Sequence, residues 1–226
     1  MTMKKMTALA LTVVMCLSLA ATAFAADVTD ATKGANLTVK GSTTVPTIKI
    51  EVPTAAAVVL NPYAMKLNSD LSGAVDSGSS EQSKVISPVY DIKNKSNIDI
   101  KVGVTATGTA TGVEFAKASA ADVTGKKQAF VQLVMKGVAS DDAATATLDP
   151  ENDTVLVLSA TAAALKAENQ ITLVAGDGEN AAATGNSDMV FQFQGDTSKN
   201  PTTPWTNKDV VNATLAFTFA PQDVTP

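Results

Sequence analysis

Histidine and arginine are both missing from this 226-residue chain, and cysteine occurs once. Each gap removes chemistry. Without histidine there is no Ser-His-Asp or Cys-His nucleophile and no His-ligated zinc. Without arginine there is no bidentate clamp for phosphate or guanine, and all 17 basic residues are lysine. Aromatic residues make up 4% of the chain, which leaves few flat platforms for a sugar. G-x-S-x-G, S-x-x-K and the glycine-rich phosphate loops are absent too. The sequence therefore points away from an enzyme, and it names no catalytic, cofactor-binding or metal-binding residue.

The N-terminus reads as a processing segment. Lys4 and Lys5 precede an apolar run from Ala8 to Leu19, and Ala23-Phe24-Ala25 fits a small-x-small cleavage site. The run is short for a bilayer span, which takes about 20 residues. Cleavage is expected between Ala25 and Ala26, without lipid on Cys16, because its predecessor Met15 is not small. The mature chain would have 226 − 25 = 201 residues, no cysteine, and 17 − 2 = 15 lysines against 22 acids. That net charge of −7 disfavours nucleic acid and anionic membranes, which carry the same sign. A disulfide-free exported chain fits a bacterial source and a secreted, extracellular or cell-surface location.

Beyond a small polar leader at 26–35, the dominant signal is period-two alternation, the mark of half-buried strands. Ile98, Ile100, Val102, Val104 and Ala106 share one face; Met189, Phe191 and Phe193 form a second stripe; Val211, Ala213, Leu215, Phe217 and Phe219 form a third. Strands are also expected at 37–40, 47–52, 55–60, 64–67, 112–116, 128–136, 154–158 and 170–174. The stretch 85–93 is joined to 98–107 by Asn94-Lys95-Ser96-Asn97, which predicts a hairpin. Pro88 lacks an N–H, so that first arm is expected to be an edge strand or to carry a bulge. Loops are expected at 68–83, 139–153, 175–188 and 195–207. Thr161 to Glu168 reads as a short Ala-rich helix or as a weak strand. A split into two small domains near residue 140 is the alternative to a single domain.

Three groups of residues invite a functional reading. Asp149, Glu151 and Asp153 alternate oxygens in one loop, as a calcium site would, but without EF-hand spacing; the plain alternative is an acidic loop. Trp205 in PTTPWTNKD is either a sugar platform or a packed indole capping one end of the fold. Strand lysines Lys49, Lys93 and Lys101 raise a Lys–Asn isopeptide staple, although alternation turns Lys49 and Lys101 outward. The 22 acids could supply a glycosidase pair, but nothing marks two of them, and they read as solvated charge.

The segments VPTAAAVVLNPY, ISPVYDIKNKSNIDIKVGVTATG and FQFQGDTSKNPTTPWTNKDVVNATLAFTF resemble exported β-sandwich proteins of Gram-positive bacteria, of the camelysin/TasA-like set. That resemblance implies a secreted protein able to assemble into surface or matrix fibres. The metal-dependent proteolysis linked to camelysin is not carried over, because the histidines are missing. The WxL wall-binding pattern fails, since Trp205 is followed by Thr206-Asn207 and no second Trp exists.

The expectation is thus an all-β chain: signal peptide 1–25, leader 26–35, one antiparallel β-sandwich over 36–220 (Ig-like or jelly-roll-like, about nine to eleven strands) and a tail at 221–226. Its expected role is structural, as a self-assembling fibre or matrix subunit, with no cofactor. Expected partners are other copies or the cell wall, with no membrane contact after cleavage. The alternative role is a module that binds glycan or peptidoglycan.

Overall fold

The computed structural model describes residues 47–63, 66–67, 74–76, 84–199 and 201–222. The expected signal segment, the leader, the strand at 37–40 and the end of the tail lie outside these residues. In chain order the strands are β1 (Ile50–Glu51), β2 (Val59–Asn61), β3 (Lys66–Leu67), β4 (Ala74–Asp76), β5 (Lys84–Ile86), β6 (Tyr90–Asn94), β7 (Ile100–Thr111), β8 (Glu114–Phe115), β9 (Gln128–Val138), β10 (Thr154–Val157), β11 (Ala163–Ala164), β12 (Ile171–Leu173), β13 (Asp188–Thr197) and β14 (Val210–Pro221). Two short 3-10 turns, Ser140–Thr145 and Ala167–Asn169, are the only helical elements among the described residues.

The chain is all-β, with two main antiparallel sheets. In the eight-stranded sheet β13 is central: β9 pairs along one side, and β6 and β5 share the other. Outside them, β1 lies against β6 and β2 against β5, while β10 and β8 flank β9. Only β8 on β9 runs parallel. The four-stranded sheet is built on β7, with β14 along one side and β11 and β12 sharing the other. A separate pair, β3 and β4, completes the set.

More strands exist than the alternation suggests, because long runs are broken. β5 and β6 are one strand interrupted at Ser87-Pro88-Val89. Gly195 pairs with Val85 and Phe191 with Tyr90, so the three residues 192–194 face the four residues 86–89, a bulge. Pro88 is its cause, as a missing N–H requires, and Ser87 repairs the gap. The Phe193 N–H donates to Ser87 Oγ at 2.8 Å, and Gln192 Nε2 donates to the Ser87 carbonyl at 2.7 Å. This strand is bulged but is not an edge, since β1 and β2 lie outside it. The helix alternative at 161–168 gives way to β11 and the Ala167–Asn169 turn.

The expected stripes meet in one core. Ile100, Val102, Val104 and Ala106 of β7 pack in the same cluster as Val131, Leu133 and Met135 of β9 and Met189, Phe191 and Phe193 of β13. Phe191 stacks on Tyr90 of its own sheet at 5.3 Å and bridges to the other sheet, its centroid lying 5.7 Å from that of Phe217 on β14. The central strands are covered on their other face as well. Val190 and Val138 pack there with Ala143, Ala146 and Leu148 from the segment expected to be only an acidic loop. Gly108 in β7 has a steric reason: a Cβ there would lie 2.5 Å from the Phe115 ring.

The predicted hairpin between 85–93 and 98–107 does not form. β6 belongs to the larger sheet and β7 to the smaller, so residues 95–99 carry the chain from one to the other. The reason is Asn94, which is fully buried. The two N–H bonds of its Nδ2 are shared among three carbonyls, of Ile98 (3.0 Å), Leu173 (3.1 Å) and Val174 (2.9 Å), and its Oδ1 accepts the Ser96 N–H at 3.0 Å. Ser96 Oγ in turn accepts the Lys49 N–H at 2.9 Å. Buried backbone groups at a corner need partners, and this side chain supplies them.

Asn94→Ala strips those carbonyls of donors and should cost about 2–3 kcal/mol in urea unfolding, by the usual cost of stranding buried polar groups. An unchanged midpoint would remove Asn94 from this role.

Candidate functional site

With no histidine in the chain, the acids are the groups most able to do chemistry. Asp188 opens β13 and is 0% exposed. Its cross-strand partner is Lys93, whose Nζ lies 4.0 Å from Asp188 Oδ2 but only 3.1 Å from Asp91. Ser187 Oγ reaches Asp188 Oδ1 at 3.3 Å, yet its proton is better placed on the Ala182 carbonyl at 2.5 Å. Asp188 Oδ2 has no hydrogen-bond partner. Burial therefore pushes the Asp188 carboxyl above the usual range, opposed by the Lys93 charge and the Ser140 and Ser187 hydroxyls. Lys93 is shifted upward by its bond to Asp91, against its partial burial. The arrangement can hold a proton at Asp188, but a carboxyl with no exposure cannot touch a substrate. The isopeptide reading finds Lys93 held by Asp91, and the neighbouring Asn94 amide occupied at the corner.

In the Asp149-Glu151-Asp153 loop the two aspartates accept bonds from the loop itself. Asp149 Oδ1 accepts the Glu151 N–H at 2.9 Å and Oδ2 the Asn152 side chain at 2.6 Å; Asp153 Oδ2 accepts the Asp149 N–H at 2.7 Å. These bonds hold Asp149 below its ordinary range. Asp177 does the same, accepting the N–H groups of Asn180 and Glu179. These are self-closing Asx turns. Among the described residues no three or more of His, Cys, Asp or Glu are placed to share a metal ion.

Trp205 is 7% exposed and belongs to the core; its indole N–H donates to the Ser198 carbonyl at 3.0 Å. The ring that faces water beside it is Tyr63, 57% exposed, with its hydroxyl on the Trp205 carbonyl at 3.3 Å. The packing alternative for Trp205 is the one the structure shows. A shallow open hollow lined by Lys136, Asp142, Thr145 and Asn186 lies beside the Ser140–Thr145 turn.

The outstanding feature is a strand edge. β14 pairs with β7 over its whole length, from Val210 opposite Thr111 to Pro221 opposite Ile100, and no described strand lies on its other side. Antiparallel pairs alternate between bonded and non-bonded. Gln222 N–H bonds to the Asp99 carbonyl, and Gly108 N–H bonds away from β14 to Ser159. The even residues of β14 thus bond to β7. The N–H and C=O groups of Val211, Ala213, Leu215, Phe217 and Phe219 point to the free edge. Their side chains face inward, yet Ala213, Leu215, Phe217 and Phe219 are only half-buried. From 210 to 221 the strand carries no charge.

The other edges are blunted. β1 and β2 are separated by Pro53, and Lys49 precedes β1 while Glu51 lies in it. β10 has four residues and β8 two; β11 has two and β12 three, separated by a 3-10 turn. Short strands, prolines and charges are the usual protections of an edge. At β14 the alternating pattern could show a strand but not its position. The absence of charge over 210–221 was the readable signal that this strand lacks an edge's ordinary defences.

Asp188 generates a pH prediction. Its folded pKa is raised, so it favours the folded state when protonated, and that contribution is lost as pH rises from the unfolded value of about 4 through the folded one. Asp188→Asn should raise the melting temperature more at pH 7 than at pH 4; an equal effect at both would contradict the assignment. No family model, curated protein or solved structure matches this chain.

Proposed function

We propose that this chain is a secreted, non-catalytic structural protein of the bacterial surface, a β-sandwich subunit that works by associating with further copies of itself. The observation that carries the reading is the β14 edge: twelve residues long, uncharged, half-buried on its inward side and without a strand beside it among the described residues. An edge of that length is a template for another strand. The N-terminal segment ending at Ala25 supports export. The likeness to camelysin/TasA-type proteins supports assembly outside the cell. The sandwich is supported by the shared core, in which β7 and β14 of one sheet pack against β9 and β13 of the other.

A catalytic role finds no support in the acids, whose best-bonded members close their own loops and whose buried member is out of reach. For the glycan-binding alternative, Trp205 does not offer the exposed face that a sugar platform needs.

Sedimentation velocity on the purified full chain over a hundredfold concentration range, with electron microscopy of the concentrated sample, tests this reading. Mass rising with concentration is the expected result. A strict monomer throughout would overturn it. Trp205→Ala should lower stability by about 3–5 kcal/mol, the usual cost of deleting a core aromatic, and leave any cell-wall binding by the folded protein unchanged. Loss of wall binding without loss of stability would favour the glycan reading.

A further inference from the structure

We infer that β14 pairs antiparallel with β14 of a second copy, across a two-fold axis through Leu215. This rests on the reading that copies associate, and it names the surface, the partner and the register.

An occupant of this edge must be an extended strand, because what is on offer is a row of N–H and C=O groups two residues apart, at 211, 213, 215, 217 and 219. A second β14 presents that same row. Paired about Leu215, residue 215 faces its own copy, 213 faces 217 and 211 faces 219, so each of the five residues both donates and accepts. The size pattern fits as well: Phe217 lies opposite Ala213 and Phe219 opposite Val211, large against small on the inward side. On the outward side Thr214 faces Ala216, Asn212 faces Thr218 and Val210 faces Ala220, all uncharged.

This register also uses the whole strand. Centred on 215, the ladder runs from 210 to 220. It stops where Pro221, which has no N–H, falls opposite Asp209. That side chain is turned inward, bonded by Lys127 at 2.8 Å and by the Thr206 N–H at 2.5 Å. Little ordering is needed on association, since twelve pairs to β7 already fix the strand. Pairing takes the partly buried Leu215, Phe217 and Phe219 further from water. A two-fold contact of this kind is closed, so it makes dimers; larger assemblies would be built from these dimers through another surface.

Thr214 and Ala216 are both exposed and face each other across the axis, so charges placed there read the register directly. The double variant Thr214→Lys with Ala216→Lys sets lysine against lysine at both crossings. Thr214→Lys with Ala216→Glu sets lysine against glutamate at both. Each is compared with the unaltered full chain by sedimentation equilibrium, with melting curves to confirm that all three fold. The unaltered chain should dimerise, the Lys/Lys variant should dimerise at least tenfold more weakly, and the Lys/Glu variant should recover most of the loss at low salt and less at high salt. Lys/Lys dimerising like the unaltered chain would overturn the surface. Lys/Glu as weak as Lys/Lys would overturn the register and so the inference. In either case, assembly by the unaltered chain leaves the broader functional reading standing, whereas a monomeric unaltered chain brings both down.

Discussion

A backbone at the edge of a sheet has N–H and C=O groups that must find partners in water, in another element or in another molecule. This protein treats its edges unequally. Proline separates β1 from β2 and charge lies at β1, while β8, β10, β11 and β12 are too short to template anything. β14 is left long and neutral. Chains avoid such edges because they recruit neighbours, and among the described residues β14 is the long edge without these protections, which is the observation behind the proposed self-association.

What puts β14 in that position is the corner at Asn94. Had residues 94–97 turned the chain back on itself, β7 would have joined β6 in one sheet. β14, which depends on β7 for every pair, would have gone with it. The Asn94 side chain instead bonds Ile98, Leu173 and Val174, tying the exit of one sheet to the entry of the other. The second sheet is then narrow, with β7 flanked by one complete strand and two fragments. Phe217 reaches across to Phe191, and through it to Tyr90. The core is thus closed at its centre and only half-closed along β14.

Much of this was readable from residues alone. Strict alternation at 98–107, 188–194 and 211–219 marked the core faces of β7, β13 and β14, because a strand's side-chain period is fixed by backbone geometry. Pro88 announced its bulge for an equally local reason. Pairing was less legible. Asn94-Lys95-Ser96-Asn97 has the composition of a turn, and composition says where a chain bends but not which sheet it bends into; that depends on what Asn94 meets 79 residues later at Leu173. Burial of the outer face of β13 was hidden likewise, since Ala143 and Leu148 sit among the acids of a segment that reads as solvent-exposed. Of the groups singled out for chemistry, Asp149 and Asp153 accept bonds within their own loop and Trp205 enters the core, while the buried Asp188 gave no sign in its sequence context. Alternation likewise cannot tell a central strand from an edge. The lack of charge between 210 and 221 was there to be read, but it becomes informative only once the strand's position is known.

The most direct test of the account is residue-resolved amide exchange along β14 as protein concentration rises. The even-numbered amides, already bonded to β7, should exchange slowly at every concentration. The amides of Val211, Ala213, Leu215, Phe217 and Phe219 should exchange fast when dilute and become protected together as copies associate. Exchange at those five amides that stays fast and independent of concentration while the protein assembles would contradict the claim that this edge is the joining surface.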